Sequence, residues 1–243
     1  MFKQMLKKIP GVSFVLRHIL FFLKPHIRHR FEVMEREKIN VILDVGAHHG
    51  DFGKHLRFYG YKGRIVSFEP TRRPFLVLSQ YAKRDRLWDC QNYALGATEK
   101  TAVINVLNCA PASSFLEPNE FTLETFGETM QKRSEEIVEI KRLDSILFKL
   151  SKPSDSVFLK IDTQGYEKQI LEGLGELIKD IKLIYFEASL VQVYKDEPTI
   201  SGMIDYMKTK GFIPISVELE EWVEKKMQYL QVDILFRNNA LCG

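Results

Sequence analysis

The first chemistry-bearing residues lie in the stretch "NVILDVGAHHGDFGKHLRFYG", residues 40–60. A short apolar run ends at Asp44, and a turn that contains Gly46 and Gly50 leads into a polar segment. Glu69 ends the next apolar run, 25 residues after Asp44. Glycine lets the backbone approach a ligand closely, and a carboxylate at the second strand end is suited to accept hydrogen bonds from ribose hydroxyls. The pattern therefore predicts a nucleotide-like ligand.

The glycine spacing favours one class of nucleotide-like ligand over another. Residues 46–50 read Gly-Ala-His-His-Gly, so the G-x-G-x-x-G string that cradles the pyrophosphate of NAD is absent. Asp44 would also repel phosphates, whereas it suits the cationic amino end of a methionine moiety. These features favour S-adenosylmethionine as the cofactor. The alternative is an ordinary strand-to-helix turn whose acid only caps the helix.

Further polar side chains follow two later apolar runs, at Lys160, Asp162 and Glu187. Methyl transfer from a sulfonium requires an aligned acceptor, and an alcohol acceptor also needs a base or a metal ion. We predict that these three residues are catalytic, and that Asp162 and Glu187 are candidate ligands of Mg²⁺ or Ca²⁺ because both offer oxygen. The alternative is that Asp162 caps the next helix, that Glu187 pairs with Lys160, and that Glu167 is a first-turn acid.

The elements that must position these residues alternate between strand and helix from residue 39 on. The runs "SVFLKID" and "IKLIYFEAS" have the apolar character of strands buried on both faces of a parallel sheet. "GYEKQILEGLGELIKD" between them has helical spacing, and "WDCQNYALG" is predicted as a strand. The pattern predicts one α/β domain over residues 39–243, a doubly wound sheet of about seven core strands. "TAVINVLN" and "EIVEIKRL" add a pair of strands before the fourth core strand, with no predicted element in the polar residues 110–135 between them.

Charge separates the first residues from the rest of the chain. The 243 residues are 45% hydrophobic and 28% charged, as in ordinary globular proteins. Residues 1–31 hold seven Lys and Arg and no acid, whereas the other 212 residues hold 28 basic and 32 acidic side chains. The segment lacks the small-residue cleavage site of a secretory signal, and its uninterrupted apolar stretch is too short to cross a bilayer. We predict a basic amphipathic helical segment over residues 1–38, which either packs on the domain or brings residues 1–30 to anionic lipid.

The number and spacing of the cysteines indicate a reducing cellular compartment. Cys90, Cys109 and Cys242 are widely spaced and form no C-x-x-C pair, which argues against a disulfide framework and against a zinc site. We expect a cytoplasmic protein, with peripheral contact at the inner face of the membrane if the basic segment binds lipid.

Several strings in order along the chain resemble the FkbM family of S-adenosylmethionine-dependent methyltransferases. The resemblance runs from about residue 40 to 237, and "KID-x-QGYE" together with the upstream glycine turn is its most specific part. The matching strings are "ILDVGAHHGDFG", "IVSFEP", "NYALG", "IKRLDSIL", "FLKIDTQGYEKQILEG", "LIYFEAS" and "QVDILF". The resemblance implies a class I methyltransferase fold, Rossmann-like with an antiparallel last strand, and O-methylation of a sugar or polyketide hydroxyl.

The resemblance also implies site residues. The implied cofactor residues are Asp44, Gly46, Ala47, Gly50 and Glu69, with Asn92 and Leu95 near the adenine. We add His48, which stands where the family usually has asparagine. Ser113 and Ser114 match a serine pair in the family's loop before the fourth core strand, so we expect them, together with Glu167, on the acceptor side.

Three hypotheses for function follow. The first is an O-methyltransferase acting on a sugar, glycan or similar small acceptor. The second is an RNA methyltransferase, for which the basic segment would contact phosphates; the net acidic body and the missing N-P-P-Y string disfavour a nucleic-acid partner. The third is a non-catalytic binding module, which the Asp44 and Glu69 pair disfavours.

Overall fold

The computed structural model describes residues 24–241, without the side chains of residues 220–222 and 225. Within this range the chain forms seven α-helices connected by strands and short 3-10 turns. The helices are α1 (Pro25–Arg36), α2 (Asp51–Phe58), α3 (Arg72–Ala82), α4 (Glu120–Phe126), α5 (Leu143–Leu150), α6 (Glu167–Glu172) and α7 (Ile200–Thr209).

Seven strands form the central sheet, in the order β3-β2-β1-β7-β8-β10-β9. They are β1 (Val41–Val45), β2 (Arg64–Phe68), β3 (Trp88–Gln91), β7 (Val157–Ile161), β8 (Ile181–Ser189), β9 (Phe212–Val223) and β10 (Gln228–Asn238). The last strand, β10, lies antiparallel between β8 and β9, whereas β3, β2, β1, β7 and β8 run parallel. The predicted class I methyltransferase sheet with an antiparallel last strand is confirmed.

The central strands are buried on both faces because each face packs against helices. Val41 and Leu43 of β1 belong to one apolar cluster, and Ile42 between them belongs to the other. Every residue of β1 and of β7 is buried. This explains why these strands are near-continuous apolar runs rather than alternating ones.

The predicted extra pair of strands forms a second, smaller sheet. β5 (Lys100–Leu107) and β6 (Lys132–Lys141) pair antiparallel, and the short β4 (Ala94–Leu95) joins β6 in parallel. "WDCQNYALG" is therefore not one strand, because it divides between the two sheets. After β5 the chain folds back, and Ser114 forms a bridge with Asn105.

Two helices lie where none was predicted. α4 falls within residues 110–135, and the Asn119 side chain caps it by accepting a hydrogen bond from the Thr122 amide. In α5 the buried residues Leu143, Leu147 and Leu150 share one face. The predicted helix after β7 is shorter than its spacing suggested, since α6 ends at Glu172 and a 3-10 turn over Gly175–Asp180 follows.

α1 is the part of the predicted basic segment that the structure describes; the predictions for residues 1–23 lie outside the described range. Met34 is buried, and Arg30 reaches the sheet, where it donates hydrogen bonds to Glu218 at 2.8 Å and to the Tyr185 hydroxyl at 2.5 Å. Among residues 24–241, no helix has the length and apolar character needed to span a bilayer.

Candidate active site

A cavity of about 190 Å³ opens at the carboxyl ends of the parallel strands, between the central sheet and the loop after β5. This is where open parallel sheets bind ligands. Eight of the predicted site residues line it, namely Gly46, His48, Glu69, Leu95, Ser113, Ser114, Asp162 and Glu187.

The glycine turn after β1 packs closely against the end of β7. Gly46 has φ +72°, and a Cβ at this position would lie 1.8 Å from the backbone oxygen of Asp162. Gly50 also has positive φ and directly precedes α2. Glycine at position 46 is therefore required by the approach of two backbone segments and by a conformation that residues with a Cβ rarely adopt.

Glu69 is held at the end of β2 with its carboxylate at the cavity. Its Oε2 accepts a hydrogen bond from the His48 amide at 2.9 Å, and its Oε1 accepts from the amide of Thr71 at 2.8 Å and from the Thr71 hydroxyl. Burial raises the pKa of Glu69, and these donors oppose the increase. The carboxylate is thus oriented by the turns that follow β1 and β2.

His48 takes a left-handed backbone conformation with φ +47°, and the centroid of its ring lies 3.9 Å from that of His49. Its Nε2 is buried without a hydrogen-bond partner, and burial together with His49 lowers its pKa. In the described part of the chain, His48, His49 and Asp51 form the one group of three side chains close enough to share an ion. Asp51 is already paired with Lys54 at 2.6 Å.

A buried ion pair lies beneath the glycine turn. Lys160 Nζ is 3.2 Å from Asp44 Oδ1 and 3.4 Å from Asp162 Oδ2. Burial by itself would lower the pKa of Lys160, but Asp162 and Asp44 outweigh it and the pKa lies above its usual value. Asp44 is fully buried, and its Oδ2 accepts a hydrogen bond from Ser67 at 3.0 Å. Asp44 therefore orients Lys160 and does not face the cavity.

Asp162 and Glu187 meet at the cavity because β7 and β8 are adjacent parallel strands. Gln164 bridges them: its Nε2 donates to Asp162 Oδ1 at 3.0 Å and to Glu187 Oε2 at 3.1 Å. Gln231 donates to the same Glu187 oxygen at 2.6 Å. The Tyr194 hydroxyl, which has one proton to donate, lies 2.7 Å from the Ala112 backbone oxygen and 3.2 Å from Gln164 Oε1.

The donor set around Asp162 and Glu187 does not fit the predicted metal site. Within residues 24–241, no third His, Cys, Asp or Glu lies close enough to complete a group with them. The amide nitrogen of Gln164 faces both carboxylates, and an amide nitrogen is not a ligand that Mg²⁺ or Ca²⁺ prefers.

The predicted serine pair joins the loop after β5 to the rest of the cavity. Ser114 Oγ donates to the backbone oxygen of Gln164 at 2.7 Å, and Ser113 Oγ accepts from the Leu107 amide at 3.1 Å. Both serines line the cavity, and their hydrogen bonds give the loop a defined position over it.

Five other predicted site residues do not line the cavity; they are Asp44, Ala47, Gly50, Asn92 and Lys160. Asn92 donates to the backbone oxygens of Glu69 and Pro70, so it supports the turn after β2. Glu167 also lies outside the cavity lining, and its Oε1 accepts from the Thr163 amide at 2.8 Å. Burial raises the pKa of Glu167 to about 7.

Several cavity residues were not predicted from the sequence. Phe68 and Tyr93 lie with ring centroids 5.8 Å apart, and Phe115 and Tyr166 at 4.9 Å. All four line the cavity, as does Thr71. The aromatic residues give it the apolar walls that a purine ring needs. Their aromatic character was visible in the sequence, but the same residues are equally typical of a core.

The parallel sheet with an antiparallel last strand, the glycine turn after β1 and the acid after β2 together define a class I methyltransferase. The sequence profile of the Methyltransferase FkbM domain matches residues 44–214, and this chain belongs to that family. The protein is an S-adenosylmethionine-dependent methyltransferase.

Two relatives have similar sequences over most of their length. Methyltransferase sdnD of Sordaria araneosa is 25% identical over 220 residues, which are 80% of this chain and 81% of that protein. Methyltransferase 1 of Beauveria bassiana is 22% identical over 191 residues, which are 74% of this chain and 75% of that protein.

Among solved structures, methyltransferase FkbM from Methylobacillus flagellatus is 12% identical, with a TM-score of 0.49. The match covers 80% of this chain and 43% of that one. Magnesium protoporphyrin IX methyltransferase from Synechocystis, solved with bound S-adenosylmethionine, is 6% identical with a TM-score of 0.48 and covers 95% and 85%.

Proposed function

We propose that this enzyme transfers the methyl group of S-adenosylmethionine to a hydroxyl oxygen of a sugar, glycan or similar small acceptor. The observation that carries the proposal is the pair of carboxylates at adjacent strand ends, Asp162 and Glu187, bridged by Gln164 at the cavity. An alcohol must lose a proton as its oxygen is methylated, and a positioned carboxylate accepts that proton.

The residues present fit the cofactor. Glu69 would accept hydrogen bonds from the ribose, and Phe68, Tyr93 and Leu95 would enclose the adenine. The buried, unpartnered Nε2 of His48 is suited to a polar group of the methionine end. When bound, the cofactor supplies an electrophilic methyl group on a sulfonium.

The chain's own residues would align the acceptor and manage its proton. Asp162 or Glu187 would accept the proton of the acceptor hydroxyl, so that its oxygen could take the methyl group that the bound cofactor would supply. Lys160 would place its positive charge beside Asp162, with Nζ 3.4 Å from Asp162 Oδ2. Because the donor set does not fit a divalent ion, we expect chelation of divalent cations to leave turnover unchanged.

The test is a transfer assay with methyl-labelled S-adenosylmethionine against a panel of sugars, glycans and RNA, read by mass spectrometry. We expect label in a sugar product that survives alkali, since a methyl ether is stable there and a methyl ester is not. Asp162→Asn and Glu187→Gln should each lower turnover about 100-fold or more while cofactor binding is retained. Label in RNA alone, or in an alkali-labile ester, would overturn the proposal.

A further inference from the structure

A second groove adjoins the cofactor cavity, between the start of α3 and the β5–β6 sheet. It has a volume of about 320 Å³ and shares Thr71, Ala110 and Ser113 with the cavity wall. We call it the arginine groove, because Arg73 and Arg133 line it together with Ser134 and Glu136. A molecule in the groove would therefore lie next to the occupant of the cavity.

The arginines of the groove are not neutralised by nearby carboxylates. Arg73 and Arg133 are exposed, and neither is in an ion pair among the residues that the structure describes. Arg72, the first residue of α3, is also exposed and is in no ion pair with a described residue. The one acid that lines the groove, Glu136, accepts a hydrogen bond from the Arg72 amide at 2.8 Å. The groove is thus locally positive.

This local charge contrasts with the rest of the domain. Residues 32–243 hold 28 basic and 32 acidic side chains, so the body of the protein repels anions on average. Guanidinium groups present a planar pair of donors that matches carboxylate and phosphate oxygens. Two such groups flanking a groove beside the cavity favour an acidic group on the molecule that is methylated.

We propose that the arginine groove binds an acidic group of the acceptor, a phosphate or a carboxylate, while the acceptor hydroxyl lies at Asp162 and Glu187. This inference rests on the proposed function and narrows its substrate class to phosphorylated or carboxylated hydroxyl compounds. Glu136 limits the affinity for the anion, because its charge opposes that of the two arginines.

The test is calorimetric titration of inorganic phosphate and, separately, malonate into the full chain loaded with S-adenosylhomocysteine, at constant ionic strength. We expect one or both anions to bind, at least about tenfold more weakly to R73Q/R133Q and more tightly to Glu136→Gln. The anion that binds more tightly identifies the acidic group as phosphate or carboxylate. R84Q/R86Q removes the same charge from exposed positions after α3, and its affinity should match that of the wild type.

The outcomes separate this proposal from the proposed function. No binding of either anion, or an equal loss in R84Q/R86Q, would overturn the arginine groove. Anion binding at the groove without any methyl ether product would leave the groove standing and overturn the proposed function. Methylation of neutral sugars with an unchanged KM in R73Q/R133Q would leave the proposed function standing and overturn the arginine groove.

Discussion

At the scale of single residues, Glu69 shows how the fold orients a carboxylate that we propose as a contact of the cofactor ribose. Its carboxylate is nearly buried and accepts hydrogen bonds from the turns after both β1 and β2. Burial raises the pKa of this carboxyl, and the donors oppose the increase. Such a group can accept hydrogen bonds from two ribose hydroxyls without moving.

Glu69→Gln should weaken the binding of S-adenosylmethionine about 10- to 100-fold, because hydrogen bonds to a charged acceptor contribute about 1.5–3 kcal/mol. Calorimetric titration measures this, with Glu124→Gln, an exposed substitution on α4, as the control. Unchanged affinity in a folded Glu69→Gln protein would show that the ribose binds elsewhere.

Glu167, which we predicted to lie on the acceptor side, makes its hydrogen bonds within the turn before α6. It lies outside the cavity lining, and its carboxyl closes the turn between β7 and α6 through Thr163. Burial raises the pKa of this carboxyl from 4.5 to about 7. The folded state therefore keeps a proton at pH values where the unfolded state has lost it.

This shift predicts a pH dependence of stability. Stability should fall as the pH rises from 4.5 through 7, because the folded state binds the extra proton in that window. Relative to Glu167→Gln, the wild-type free energy of unfolding should decrease by about 3 kcal/mol between pH 4.5 and 8. Urea denaturation at each pH measures this. Glu172→Gln, on the exposed side of the same helix, should follow the wild type, and equal curves for all three proteins would refute the assignment.

At the scale of elements, the site depends on close contact between the glycine turn and the end of β7. The register places Val45 beside Ile161, so the residues that follow each strand must share a small space. The Asp162 amide donates to the Val45 oxygen at 3.1 Å, and Gly46 lies against the Asp162 oxygen.

Gly46→Ala should therefore lower the free energy of unfolding by about 3 kcal/mol or more, since a Cβ would meet backbone in a left-handed conformation. Gly211→Ala is the control: Gly211 lies just past the end of α7 and has φ +84°, but nothing lies within 4 Å of its added Cβ. It should cost about 1 kcal/mol. Equal losses in the two variants would show that the conformation, and not the contact, governs position 46.

At the scale of the whole molecule, one largely buried arginine of α1, Arg30, connects this helix to strand β9 near the end of the chain. Arg30 and Glu218 are separated by 188 residues, and their side chains are 12% and 8% exposed. Tyr185 joins the group by donating to Asp233 at 2.6 Å. Arg30 is therefore not available for lipid or phosphate, although it was counted with the basic segment.

Arg30→Met should lower the free energy of unfolding by about 3–5 kcal/mol, because it leaves the Glu218 carboxylate buried without its partner. Arg28→Met removes an exposed pair with Glu32 and should cost less than about 1 kcal/mol. Thermal and urea denaturation measure both variants. A loss at Arg30 as small as that at Arg28 would show that α1 is held by apolar packing alone.

Much of the fold was predictable because its signals are local. The apolar runs of β1, β7 and β8 follow from burial on both faces, and acids after such runs must lie at one edge of a parallel sheet. The approach of Asp162 to Glu187 was therefore predictable. α4 and α5 were missed because their short patterns lie within or beside segments interpreted as loop and strand.

The arrangement of side chains at the cavity was not predictable, because it depends on contacts between residues far apart in the chain. Ser114 and Gln164 are 50 residues apart, yet their hydrogen bond places the loop over the cavity and the amide between the two acids. Whether Asp44 faces the cofactor or Lys160 depends on which strands are neighbours and in which register. Residue type and spacing indicated the class of chemistry, whereas only tertiary packing determined which side chains reach the cavity, because burial and pairing depend on the whole fold.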